Sequence, residues 1–154
     1  MGGRNIMILL DTSGSMLDNT IVNIIRRRNM RDERKRTAPK WQKALATVDW
    51  ISAKFPNASQ YQIYTFNTET KAAIPDSKGK WLKVSNKLQL NQAIKNLKKI
   101  VPENGTNLEK AFNATSQIRP LPDNIYLITD GLPTKGSKTT RGATISGRDR
   151  LKLF

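Results

Sequence analysis

The sequence contains no cysteine and no histidine. Without cysteine, the chain has no disulfide framework, no thiolate nucleophile and no zinc–thiolate site, and nothing argues for an oxidising compartment. Without histidine, Ser–His–Asp and Cys–His catalysis are excluded, together with most transition-metal sites. Oxygen ligands and charged side chains are therefore the groups from which a functional site must be built.

Long apolar runs and acidic residues are also scarce. The first apolar run, Ile6–Leu10, is far too short for a signal-peptide core or a membrane span. The sequence therefore predicts no transmembrane segment and, by default, a cytoplasmic location. Twenty-seven basic residues against 12 acidic ones give a net charge of +15, and such a field favours acidic partners, nucleic acid or anionic lipid.

The run Ile6–Leu10 ends in a cluster of oxygen ligands, the motif Asp11-Thr-Ser13-Gly-Ser15. Five consecutive apolar residues predict a strand that is buried on both faces, as in the centre of a parallel sheet. Ligands bind in the crevice outside the carboxyl ends of such strands. One carboxylate and two hydroxyls are hard donors, which suit magnesium, calcium or manganese.

Two more oxygen ligands come from distant parts of the chain. A second apolar strand, Ile125–Thr129, ends in Asp130, and a turn-rich loop over residues 102–107 presents the hydroxyl of Thr106. These residues have an ordinary alternative explanation, because Asp, Ser and Gly are common in turns and Thr106 could be a helix N-cap.

Taken in order, these motifs resemble the metal-ion-dependent adhesion site of von Willebrand factor A domains of bacterial type. The motifs are Asp11-x-Ser13-x-Ser15, Thr106 in Gly-Thr-Asn-Leu and Asp130 in Thr-Asp-Gly. The resemblance implies that the three hydroxyls coordinate Mg²⁺, with Mn²⁺ or Ca²⁺ as alternatives. It also implies that the two carboxylates act through bound waters and hydrogen bonds, and that the last coordination position accepts a Glu or Asp carboxylate of a protein partner.

A basic insertion is predicted at about residues 18–40, between the first motif and the first clear helix. It is either a docking surface for an acidic protein, RNA or a membrane, or a solvated, charge-rich segment. Asp32 and Glu33 interrupt the basic run and no aromatic residues interleave for base stacking, which favours the solvated segment. The residues that would contact a partner are Arg26, Arg27, Arg28, Arg34, Lys35 and Arg36.

The remaining pattern predicts one α/β domain over residues 1–154, with its core over 6–134. We expect a three-layer, doubly wound, mainly parallel sheet with one antiparallel edge strand, the Rossmann-like fold that the resemblance implies. The predicted elements are helices over Trp41–Phe55, residues 88–100 and residues 108–118, a strand at Tyr61–Phe66 and an edge strand at Thr70–Ile74.

The last part of the chain, residues 135–154, is predicted to be a loop over Lys135–Arg148 followed by the start of a helix at Arg150–Phe154. Domains of the resembled family continue further. We therefore expect a domain that is truncated at its C-terminus and has an uncovered sheet edge beside Ile125–Thr129.

The predicted function is a divalent-metal-dependent protein-interaction module that is not an enzyme. The alternative is nucleic-acid or anionic-surface binding through the basic insertion, which would depend steeply on salt and not on EDTA. A metal-dependent phosphoryl-transfer enzyme with Asp11 as nucleophile is the third interpretation. Position 13 lacks the second Asp of Asp-based phosphatases, and the chain has no Gly-rich P-loop.

Overall fold

The computed structural model describes residues 4–17, 26, 30–129 and 151–153. Within these residues, six strands form one sheet with helices packed on both faces. The strands are β1 (Asn5–Asp11), β2 (Gln60–Phe66), β3 (Thr70–Ala72), β4 (Leu82–Lys83), β5 (Asn124–Ile128) and β6 (Leu151–Leu153). The helices are α1 (Asp32–Arg36), α2 (Pro39–Ala53), α3 (Lys87–Lys98) and α4 (Leu108–Thr115), and a 3-10 turn covers Gly14–Leu17.

The strand order is β3-β2-β1-β5-β6, and β4 also pairs with β2. β1 is parallel to both of its neighbours, β2 and β5, and β6 is parallel to β5. β3 and β4 run antiparallel to β2. The predicted α/β fold with a mainly parallel sheet and an antiparallel edge is confirmed, although the edge has a second antiparallel segment, β4, that the sequence analysis did not identify.

The central strand β1 is buried on both faces, as its apolar run predicts. Ile6, Ile8 and Leu10 belong to the cluster formed with α2 and α3. Met7 and Leu9 face the opposite cluster, which includes residues of α4. Because side chains alternate along a strand, one continuous apolar segment supplies both halves of the core. This double burial fixes the position of Asp11, the last residue of β1.

The prediction of a helix starting at Arg150 is wrong. Leu151–Leu153 forms β6, with Leu151 opposite Ile125 on β5. A segment of three residues, apolar at both ends, is too short for its periodicity to separate strand from helix, and the unpaired backbone groups of β5 provide a partner for a strand. The predicted uncovered edge beside β5 is therefore wrong as well. The predicted loop Lys135–Arg148 lies outside the described residues.

The antiparallel edge of the sheet is fastened from inside by Gln62 of β2, which is completely buried. Its amide nitrogen donates to the backbone oxygens of Ser77 at 2.9 Å and Lys80 at 2.8 Å. These bonds hold the segment between β3 and β4 against the sheet. Lys71 on β3 and Lys83 on β4 are both exposed.

Alkaline pH is expected to destabilise the domain through the tyrosines of β2. Burial raises the pKa of Tyr61 to about 12. Burial also raises the pKa of Tyr64, opposed by the hydrogen bond that its hydroxyl accepts from the Gly79 N–H. Both phenols are harder to ionise when folded, so their contribution to stability is complete below their unfolded pKa near 10 and is lost above it.

The Tyr61→Phe variant should lose less stability than wild type between pH 9 and pH 12, measured by urea unfolding across that range. Within the described part of the chain, the Tyr61 hydroxyl has no hydrogen-bond partner, so we expect the variant to be at least as stable as wild type at pH 7. Parallel loss of stability in both proteins at high pH would contradict this account.

Candidate metal centre

Asp11 lies at the carboxyl end of the central strand and is completely buried. It follows the last core residue of β1 and pairs in register with Phe66, the last residue of β2. On the other side, β5 ends at Ile128, opposite Leu10. The carboxylate is therefore at the edge of a parallel sheet where three strand ends meet, which is where ligands of such sheets bind.

Both oxygens of the Asp11 carboxylate accept hydrogen bonds. Oδ1 accepts from the backbone N–H of Ser13 at 2.8 Å, and Oδ2 accepts from the hydroxyl of Thr129 at 2.6 Å. The first bond folds the chain after β1 back onto the strand end, and the second joins β1 to the residue that follows β5. A carboxylate held in this way has a fixed orientation at the end of the strand.

The hydroxyls of Ser13 and Ser15 lie 3.0 Å apart. Ser15 belongs to the 3-10 turn, whose first residue, Gly14, is bonded through its N–H to the backbone oxygen of Asn104 at 2.9 Å. Adjacent ligands in a magnesium octahedron with bonds near 2.1 Å are separated by about 3.0 Å, whereas calcium in the same geometry requires about 3.3 Å or more. The 3.0 Å separation is that of a hydrogen bond between two hydroxyls, and it also equals the spacing of adjacent magnesium ligands.

A second loop, residues 102–107, is attached to the first by backbone hydrogen bonds. Besides the bond between Gly14 and Asn104, the N–H of Glu103 donates to the oxygen of Thr12 at 3.0 Å. Asn104 has a left-handed backbone conformation, with φ of 67°, which Asn tolerates better than most residues. Main-chain contacts thus fix the loop that presents Thr106, independently of the predicted metal-binding side chains.

Thr106 is buried, and the alternative explanation for it does not hold. A threonine before a helix is commonly an N-cap, but the side chain of Asn107 caps α4 by accepting a hydrogen bond from the N–H of Lys110 at 2.9 Å. The backbone N–H of Asn107 in turn donates to the oxygen of Asn67 at 2.7 Å. The side chain of Thr106 is therefore not needed to cap the N-terminus of α4.

Asp130, the fifth predicted site residue, lies outside the described residues. Its neighbour Thr129 is described, and its bond to Asp11 is a feature that the sequence analysis missed. The sequence analysis assigned Thr129 to the strand, since a β-branched residue after an apolar run is typical of a strand end. The sequence did contain a signal for this role, because the hydroxyl of Thr129 comes one residue before the predicted site carboxylate of Asp130.

Lys40 is the second residue that the sequence analysis did not assign to the site. Its ammonium donates to the backbone oxygen of Ser15 at 3.0 Å, so the first turn of α2 is bonded to the turn that presents the hydroxyls. Proline at the first position of α2 favours starting the helix at this point. One cationic side chain is thereby fixed next to the predicted metal loop.

The predicted partner-binding residues are only partly described. Arg26 and Arg34 are exposed, Lys35 and Arg36 are half-buried, and Arg27 and Arg28 lie outside the described residues. Arg36 donates from Nε to the backbone oxygen of Lys99 at 3.1 Å, which connects α1 to the end of α3.

The described residues do not bring several carboxylates together. Across residues 4–17, 26, 30–129 and 151–153, no three acidic, histidine or cysteine side chains come together in a metal-binding group. In the ligand set that the resemblance implies, hydroxyls would contact the cation directly, so few formal charges would be bound to it. Such a cation retains a strong attraction for an external anionic ligand.

A family model for the von Willebrand factor type A domain matches residues 6–132. The chain belongs to this family. A von Willebrand factor type A domain generally mediates protein interactions rather than catalysis, and it can bind a metal at a metal-ion-dependent adhesion site. No curated protein matches the sequence of this A domain.

Solved structures share the fold. BatB of Bacteroides thetaiotaomicron is 22% identical, with a TM-score of 0.58, and the match covers 87% of this chain and 57% of BatB. An aerotolerance-related membrane protein of Bacteroides fragilis is 22% identical, with a TM-score of 0.59, and the match covers 87% of this chain and 57% of that protein. Proximal thread matrix protein 1 of the mussel byssus was solved with zinc in its adhesion site. It is 19% identical, with a TM-score of 0.53, and the match covers 88% of this chain and 33% of that protein.

This A domain therefore spans 57% of the length of the two Bacteroides structures and 33% of the mussel protein. At such identities the likeness concerns the fold alone. None of the helices that the structure describes combines the length and the apolar composition needed to cross a bilayer.

Proposed function

We propose that this A domain binds Mg²⁺ and, through it, a Glu or Asp side chain of a protein partner. Ser13, Ser15 and Thr106 would hold the cation through their hydroxyls. Asp11, and Asp130 by the family pattern, would orient bound waters. The cation supplies a Lewis-acidic position to which the carboxylate of the partner binds.

The observation that supports this proposal most strongly is the hydroxyl pair beside a buried carboxylate. The Ser13 and Ser15 hydroxyls are already at the separation that adjacent magnesium ligands require. The two hydroxyls lie 3.0 Å apart, so both could contact one cation with little movement. An arrangement that needs little reorganisation favours binding.

The phosphoryl-transfer alternative finds less support. A nucleophilic aspartate needs an oxygen directed at the substrate, whereas both oxygens of Asp11 accept short hydrogen bonds from the protein. Asp11 is also completely buried.

Calorimetric titration of Mg²⁺ into chelator-stripped protein tests the proposal. We expect saturable heat in wild type, and a decrease in affinity of about 100-fold or more when both hydroxyls are removed in Ser13→Ala/Ser15→Ala, because magnesium then loses two ligands. The matched control is Ser85→Ala/Ser116→Ala, which removes two exposed hydroxyls elsewhere and should bind as wild type does. No heat from a folded wild-type sample would refute the proposal.

A further inference from the structure

Three helix ends meet beside the metal loops. α2 begins here, and its Lys40 contacts the oxygen of Ser15. α3 ends at Lys98, and the chain then runs directly to Glu103, whose N–H bonds to Thr12. α1 is fixed to the same place by the bond from Arg36 to the oxygen of Lys99. The basic residues of α1 and those at the end of α3 therefore lie at the same edge of the sheet as the proposed metal site.

We call this the edge surface, and its cationic members are Arg34, Lys35, Arg36, Lys40, Lys98 and Lys99. Arg34, Lys98 and Lys99 are exposed, and the other three are half-buried. Among the described residues, the acidic side chains on the same segments are Asp32, Glu33 and Glu103, all exposed. Glu69, in the turn after β2, is paired with Lys110 at 3.0 Å. Lys35 lies 3.9 Å from the carboxylate of Asp32, a surface pairing that neutralises little charge. The edge surface therefore keeps a clear excess of positive charge.

Helix stabilisation accounts for only part of this pattern. Cations in the last turn of a helix interact favourably with its dipole, and both α1 and α3 have them. That effect acts on each helix separately. It does not require the two C-terminal ends to lie side by side, next to loops that would present a partly neutralised divalent cation.

We infer that the partner carboxylate belongs to an acidic polypeptide segment, with one carboxylate on the metal and its neighbours on the edge surface. This inference rests on the proposed function and specifies the class of partner. Several cationic side chains on one surface give a positive field that an acidic segment meets at more than one point. An acidic segment would therefore be attracted more strongly, and would associate faster, than an isolated carboxylate.

The edge surface suits an acidic peptide better than single-stranded nucleic acid. Stacking on exposed aromatic side chains contributes much of the binding of unpaired bases. Among the large hydrophobic side chains that the structure describes as exposed, the one aromatic is Trp50, near the opposite end of α2 from Lys40, with the Lys54 ammonium 4.7 Å from its ring centre. It lies away from the edge surface.

The test compares two fluorescein-labelled peptides of equal length in Mg²⁺, one rich in glutamate and one with a single glutamate. We expect wild type to bind the glutamate-rich peptide about tenfold more tightly. The variant Arg34→Gln/Lys98→Gln/Lys99→Gln should lose this preference, while keeping the bond from Arg36 to the backbone oxygen of Lys99.

The matched control is Lys54→Gln/Lys83→Gln/Lys87→Gln, which removes the same charge from exposed positions at the other edge of the sheet. It should keep the preference for the glutamate-rich peptide. If both triple variants lose the preference equally, net charge alone explains it and the inference is overturned. The inference is also overturned if the edge-surface variant keeps the preference.

Measurements with EDTA and with DNA test whether peptide binding needs the metal and whether nucleic acid is the better partner. Binding of the glutamate-rich peptide that survives EDTA unchanged would show that the basic residues act without the metal, against the inference. Labelled duplex DNA that binds in EDTA as tightly as the glutamate-rich peptide binds in Mg²⁺ would favour nucleic acid as the partner and overturn the inference as well. Magnesium calorimetry of the wild type separates this inference from the proposed function. If the wild type binds Mg²⁺ but does not prefer the glutamate-rich peptide, the inference fails and the proposed metal site stands.

Discussion

Asp11→Ala is expected to weaken Mg²⁺ binding by about 100-fold. The carboxylate contributes the negative charge described at the centre of the site, and it holds the backbone of Ser13 and the hydroxyl of Thr129. Its removal takes away an acceptor from both groups, so we also expect a loss of about 1–3 kcal/mol in the free energy of unfolding. Calorimetry with Mg²⁺ and urea unfolding measure the two effects.

Asp11→Asn is the matched control, because it removes the charge and keeps the shape and one carbonyl oxygen. The N–H of Ser13 can still donate to that oxygen, so the variant should unfold closer to wild type than Asp11→Ala does. Its affinity for Mg²⁺ should nevertheless be low, since an amide orients a metal-bound water less strongly than a carboxylate. Wild-type affinity in Asp11→Asn would remove Asp11 from the proposed site.

Trp41→Ala should have the largest effect on stability, about 3–5 kcal/mol. Trp41 is completely buried in the first turns of α2, in the cluster that includes Met16 and Leu17 from the 3-10 turn. Loss of its indole leaves a large cavity in the core cluster to which the 3-10 turn also contributes. Urea unfolding should show the destabilisation, and magnesium affinity should fall in the fraction that remains folded.

Trp50→Ala is the control for this prediction. Trp50 lies on the same helix but is 60% exposed, so its truncation should change the free energy of unfolding by only about 0.5 kcal/mol. Equal destabilisation by the two substitutions would show that the core around α2 is not packed as described.

The main elements of the fold could be predicted because each has a strong local signal. β1 follows from a continuous apolar run, and α2 from apolar residues at helical spacing between Pro39 and Pro56. β4 and β6 have no comparable signal, since β4 has two residues and the three residues of β6, apolar at both ends, fit the start of a helix equally well. Segments of that length become strands only because β2 and β5 offer unpaired backbone groups beside them.

The contacts of the site depend on partners far apart in the sequence. Asp11 was predictable as a site residue because it ends a strand, but its bond to Thr129 joins residues 118 positions apart. Lys40 could be assigned only once α2 was placed beside the 3-10 turn. The cap of α4 could not be assigned from the sequence either. Thr106 and Asn107 are both plausible N-cap residues, and the structure shows that Asn107 is the cap.

The short antiparallel strands also affect whether two copies of this protein can associate edge to edge through their sheets. An outer strand with free N–H and C=O groups is a template on which another chain can add and begin a fibril. β3 and β4 together offer only five residues, each strand bears an exposed lysine, and Gln62 keeps the intervening segment fastened to the sheet. A chain that approached this side would find two brief, charged stretches instead of one long backbone ladder, so the domain resists edge-to-edge aggregation here.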